Sequence, residues 1–108
     1  MVKKLKSGET FSYYIGVLES HMTIGDAVEV WVDEEGFEHN ENGLPSYIYY
    51  HLGEWYTKEH RVHGYRHNIN GPAWYTINGD SEYWLNGKQL SKEVWEIEGN
   101  RIKTLEEI

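Results

Sequence analysis

Cysteine is absent from the 108 residues. That excludes a disulfide framework, a thiolate zinc site and a cysteine nucleophile, and it fits a reducing compartment. Positive charge is scarce: 10 Lys and Arg stand against 18 Asp and Glu, for a net charge of −8. A broad basic face for a phosphate backbone is therefore excluded, and direct nucleic-acid binding with it. Long apolar runs are missing too. The best of them, residues 47–50, falls far short of the roughly 18 residues a membrane helix needs. The length suits one small domain and no two-domain enzyme. Phosphate-cradling glycine loops, the G-x-S-x-G elbow and the H-E-x-x-H zincin order are absent as well. What is abundant is aromatic: 5 Trp, 9 Tyr and 2 Phe make 15% of the chain, at a mean hydropathy of −0.72. The core is expected to be built from large amphipathic rings rather than from Leu and Ile.

Lys3, Lys4 and Lys6 resemble the start of a secretory leader, but Ser7, Gly8 and Glu9 break the apolar stretch such a leader requires. The expectation is a soluble, cytoplasmic protein. Residues 9–22 place Phe11, Tyr14, Ile15, Leu18 and Met22 on one helical face, which favours a short helix, whereas Gly16 and the Tyr13-Tyr14-Ile15 triplet suit a strand. Residues 27–32 alternate, with Val28, Val30 and Val32 on the inward side, and Asp33-Glu34-Glu35-Gly36 then turns the chain.

The middle of the chain repeats itself at an offset of 28: His39 with His67, Asn40 with Asn68, Asn42 with Asn70, Gly43 with Gly71, Tyr47 with Tyr75. The aromatic pair Trp55-Tyr56 meets Tyr83-Trp84 at the same offset, and a partial unit upstream aligns Trp31-Val32-Asp33 with Trp84-Leu85-Asn86. Asn42-Gly43 and Asn70-Gly71 predict positive-φ turns, with Pro45 or Pro72 at the strand that follows. Asn78-Gly79 and Asn86-Gly87 predict two-residue hairpins joining strands 73–77, 81–85 and 88–90. The fold class is mainly β: an antiparallel β-meander of two and a half hairpin repeats over 26–90, with capping elements at 1–25 and 91–108 in one domain. At the C-terminus Ser91 can cap a helical turn, after which two outcomes stay open. Either the helix continues, or Gly99-Asn100 makes a hairpin that sets Ile97 against Ile102.

The segments His67-Asn68-Ile69-Asn70-Gly71-Pro72-Ala73 and Tyr83-Trp84-Leu85-Asn86-Gly87-Lys88 resemble the MORN-like repeats of small bacterial and phage proteins. That pattern runs from a tryptophan-bearing strand through Asn-Gly-Lys to His-Arg-x-Asp-Gly-Pro-Ala, and the likeness covers about residues 31–95. Asn68 and Asn70 replace its Arg and Asp, so an Arg-Asp bridge between units does not carry over. The resemblance implies a curved antiparallel repeat in a binding or scaffolding role, and it supplies no catalytic residues.

Three groups of residues are candidates for function. Residues 26–41 hold seven acids and no Lys or Arg, and Asp33, Glu34, Glu35 and Glu38 among them form a surface for a partner with a basic face. The adjacent rings Trp55, Tyr56, Trp74, Tyr75, Tyr83 and Trp84 send one member of each pair to each face of a sheet, leaving a row for protein contacts. Together they point to a non-enzymatic binding protein without a cofactor, and the resemblance implies a phage or mobile-element accessory factor, expected to inhibit a host protein. A homo-oligomer is compatible with the same rings. The alternative is a sponge for a small nucleotide held by Arg61 and Arg66. The third reading is a metal-dependent enzyme using His60, His63 and His67, whose spacing would share a helical face, although Val62 and Gly64 argue against that helix.

Overall fold

The computed structural model describes residues 3–5 and 27–106. The helix-or-strand alternative for 9–22, like most of the N-terminal cap, lies outside them. Among the described residues the elements are β1 (Lys3–Leu5), β2 (Ala27–Val32), β3 (Tyr47–His51), β4 (Glu54–Glu59), β5 (Arg61–Val62), β6 (Tyr65–Arg66), β7 (Trp74–Thr76), β8 (Ser81–Leu85), β9 (Lys88–Leu90) and α1 (Lys92–Glu106). Seven strands follow one another in the order β1-β2-β3-β4-β7-β8-β9, each antiparallel to the next, while β5 and β6 form a separate two-stranded ribbon. This is the expected meander, and the described strands do not close into a barrel. None of the described helices is long and apolar enough to cross a membrane.

The alternation of β2 works as read: Val28, Val30 and Val32 are 1–3% exposed and pack with Tyr47, under the half-buried Tyr49. Register then carries this face across the sheet. Val30 pairs with Tyr47, Tyr47 with Glu59, Glu59 with Trp74 and Trp74 with Glu82. Directly paired residues share a face, so one row passes from a valine core at one end to carboxylates at the other.

Between strands the chain throws out three tongues: residues 33–38, the β5–β6 ribbon, and the β8–β9 turn. Val32, Arg61 and Trp84 occupy matching positions in them, opposite Glu38, Arg66 and Gln89. The upstream unit is therefore shifted by one residue from the Trp31-Val32-Asp33 alignment, and the tongue bearing Arg61 stands between the two segments that alignment compared.

The turns divide into two kinds. Asn42-Gly43, Leu52-Gly53, His63-Gly64 and Asn86-Gly87 have positive φ at both residues, the backbone of a type I′ turn. In the other kind, Gly36 (φ 90°) and Gly79 (φ 95°) follow two ordinary turn residues. Asp33 N–H donates to Phe37 O at 2.8 Å and Thr76 N–H to Asp80 O at 3.0 Å, as a three-residue loop with a glycine bulge requires. Asn78-Gly79 is thus not a two-residue hairpin. Nor has Asn70-Gly71 positive φ. The Asn68 amide donates to Pro72 O four residues on, where the Asn40 amide reaches Pro45 O five residues on. The second loop is one residue shorter and needs no left-handed residue.

At the C-terminus the helix prevails through residue 106. Ser91 Oγ accepts from Val94 N–H at 3.3 Å, and Trp95 lies on Tyr83 with ring centroids 4.8 Å apart and donates Nε1–H to Asn68 O at 2.8 Å. This docking ties α1 to the last repeat and overrides the local hairpin preference of Gly99-Asn100. Strand β1, where Lys3 pairs with Val32, lies in the stretch that resembles a leader.

Candidate functional site

The tongues stack side by side, and the repeated residues make the joints. His39 Nδ1 accepts the N–H of His63 at 3.0 Å, and His67 Nδ1 accepts the N–H of Asn86 at 3.0 Å. Each histidine thereby caps the first turn residue of the next tongue, which fixes its remaining proton on Nε2. Glu38 O and Arg66 O likewise receive the N–H of Gly64 and Gly87, both at 2.8 Å. Phe37 and Tyr65, one repeat apart, lie over those same glycines. A methyl on Gly64 would stand 3.4 Å from the Phe37 ring, and one on Gly87 would stand 2.9 Å from the Tyr65 ring.

Behind the tips lies an ionic ladder. Arg61 Nε donates to Glu59 and sits 3.9 Å from Glu38; Arg66 bonds Glu59 at 3.0 Å and Glu82 at 3.4 Å. Arg61 and Arg66 face each other across β5–β6, a repulsive pairing that the buried Glu59 between them offsets. The Arg66 guanidinium lies 5.1 Å from the Trp84 ring centroid, and Trp84 Nε1–H donates to Glu82 at 2.9 Å. Units are bridged by Glu38 to Arg61 and by Arg66 to Glu82.

Burial pushes the Glu38 carboxyl up to about 7, helped by the nearby Glu59 and opposed by Arg61, the Ser46 hydroxyl and Arg66. A raised carboxyl binds its proton more tightly in the fold, so its contribution is full below the ordinary value and is lost as pH rises through about 7. His60 and His67 are held below the ordinary imidazole range, chiefly by burial. Their contribution has the opposite sign, present at high pH and lost on acidification. Glu38→Gln keeps an acceptor for Ser46 and cannot ionise. It is expected to exceed the native chain in stability at pH 8–9 by on the order of 2–3 kcal/mol, with the gap closing toward pH 5. Thermal melts of both proteins across this range check it, since the histidine effects are common to the two; a native chain that stays more stable at pH 9 would contradict it.

The acidic candidates separate by role. Asp33 is buried: its Oδ1 accepts the N–H groups of Glu35 and Phe37, and its Oδ2 meets His63 Nδ1 at 2.7 Å, which holds the carboxyl below its usual range. Glu38 belongs to the ladder. Glu34 and Glu35 are exposed at the tip of the first tongue.

The six paired rings are half-buried or just exposed, and most are engaged within the fold. Trp55 meets Tyr75 edge-on at 6.0 Å, with Lys58 4.7 Å above it. Tyr56 meets Tyr49, and Asn78 bonds its hydroxyl. Tyr75 bonds His60, Tyr83 holds Trp95, and Trp84 holds Arg66. Trp74 lies in register between Glu59 and Glu82. Among the described residues the rings that project furthest are Phe37, 51% exposed, and Tyr65, 65% exposed. The pairs drew attention because the rings are adjacent; Phe37 and Tyr65 stand singly, and only their offset of 28 marks them.

The histidines do not converge. His60 is buried on Tyr75, His63 lies at a tongue tip stacked on His39 at 4.0 Å, and His67 caps Asn86. Among the described residues no group of three His, Cys, Asp or Glu side chains could hold a metal ion. What the arrangement offers is an edge of hydrogen-bonded tongue tips with two projecting rings beside exposed carboxylates. Comparison of the chain with protein-family models, curated proteins and solved structures found no match.

Proposed function

We propose that this chain is a non-enzymatic binding protein whose working surface is the edge of tongue tips, and that it engages and blocks a host protein through a basic face on that partner. The observation that carries this reading is the exposure of Phe37 and Tyr65, two large rings fixed over glycine turns next to Glu34 and Glu35. Rings held in place beforehand lose little freedom on association, and aromatic anchors dominate interface energies. The net charge of −8 adds electrostatic steering toward a basic surface. The MORN-like resemblance agrees with a binding role in a phage or mobile-element accessory factor. A nucleotide sponge has less support, because Arg61 and Arg66 are already paired with carboxylates.

A photo-crosslinking residue placed at position 37 or 65, with position 97 on α1 as a control, tests the reading in lysate of the cells that make the protein. The expected result is one shared adduct from 37 and 65, crosslinked through a Lys- or Arg-rich segment. Adducts from 97 alone would overturn it.

A further inference from the structure

The two gaps between successive tongues are repeats of one another, and they are filled differently. The gap between the second and third tongues, about 220 Å³, is lined by Arg61, Gly64, Tyr65, Arg66, Trp84 and Gly87. Here the chain supplies its own guanidinium groups. Arg61 Nη1 donates to Gly64 O at 2.8 Å, and Arg66 lies over Trp84 while it bonds Glu82. The gap between the first and second tongues, about 310 Å³, is lined by Asp33, Glu35, Phe37, His63, Gly64 and Tyr65. Phe37 stands where Tyr65 stands in the other gap, and Glu38 stands where Arg66 stands. Among the described residues no lysine or arginine lines this gap. It holds two exposed rings and two carboxylates, where in the counterpart the Arg66 guanidinium has the Trp84 ring and the Glu82 carboxylate.

We propose that the gap between the first two tongues receives an arginine side chain of the partner protein, its guanidinium stacked on Phe37 and Tyr65 and paired with Glu35. A planar guanidinium can stack on a ring and donate two parallel hydrogen bonds to a carboxylate at the same time, whereas an ammonium is a compact, strongly hydrated point charge. Asp33 contributes its charge but little accepting capacity, because Glu35 N–H, Phe37 N–H and His63 already take three of the carboxylate's roughly four acceptor sites. Glu35 is therefore the pairing carboxylate. This inference rests on the binding-edge reading and names what that edge recognises.

The test is a titration of ¹⁵N-labelled protein with acetyl-Gly-Arg-Gly-amide, followed by amide shifts, alongside the citrulline and lysine analogues. The expected result is saturable shifts at Glu35, Phe37, Gly64 and Tyr65 with the arginine peptide, at least threefold weaker binding of the lysine peptide and none of the citrulline peptide. Glu35→Gln and Phe37→Leu should each weaken the arginine peptide at least fivefold while leaving the rest of the spectrum in place. No saturable shift at these residues, or equal shifts with citrulline or lysine, would overturn the proposal. Failure here together with crosslinks from 37 and 65 removes the arginine and leaves the binding edge; failure of both removes both.

Discussion

Gly87→Ala is expected to destabilise the fold by about 2–4 kcal/mol, against about 1 kcal/mol for Gly79→Ala. Both glycines have positive φ, 82° and 95°, so both alanines meet backbone strain. They differ in surroundings. A methyl at position 79 meets nothing within 4 Å, whereas at 87 it stands 2.9 Å from Tyr65 Cδ1. The ring must swing away, and it is held over the turn by the joint between the second and third tongues, where Gly87 N–H donates to Arg66 O. Denaturant titration of Gly87→Ala, Tyr65→Ala and the double variant checks this. The double variant should be more stable than the sum of the single losses predicts, because the clash requires both side chains. Strict additivity would show that strain alone sets the cost.

Arg66→Met is expected to cost about 3–5 kcal/mol, the range for removing one partner from a buried ionic group. Glu59 is 8% exposed and loses one of its two guanidinium partners, Glu82 loses its own, and Trp84 loses the cation over its ring. Adding Glu59→Gln should recover part of the loss, since the stranded charge is then gone. Melting temperatures of the two variants and the native chain at low and high salt provide the measurement. A cost below about 1 kcal/mol would mean that the ladder behaves like an ordinary exposed ion pair.

How much of this was legible in the sequence depends on which physics governs each part. The valine alternation of residues 27–32, the strands 81–85 and 88–90 and the Asn86-Gly87 hairpin follow from local rules, and the structure has them where those rules put them. Leu52-Gly53 and His63-Gly64 are type I′ turns that the rules miss, because Leu and His seldom adopt positive φ unless the strands on either side impose it. The single-residue shortening between Asn68 and Pro72 is visible in the sequence, yet its effect on Gly71 shows only when the two loops are compared in space. Helix α1 wins over a hairpin through Trp95, whose partners Tyr83 and Asn68 are distant in sequence. At the site, the offset of 28 located the histidines but not their task as turn caps. The acidic run mixes structural Asp33 and Glu38 with the exposed Glu34 and Glu35.

The most direct measurement is the affinity of the crosslinked partner for the native chain, for Phe37→Ala and for Glu34→Lys/Glu35→Lys, each first shown to melt like the native protein. Loss of the projecting ring is expected to weaken binding about 30-fold, mainly through faster dissociation. The charge reversal is expected to slow association and flatten its dependence on salt. Binding unchanged by both substitutions would contradict the assignment of the tongue edge as the working surface.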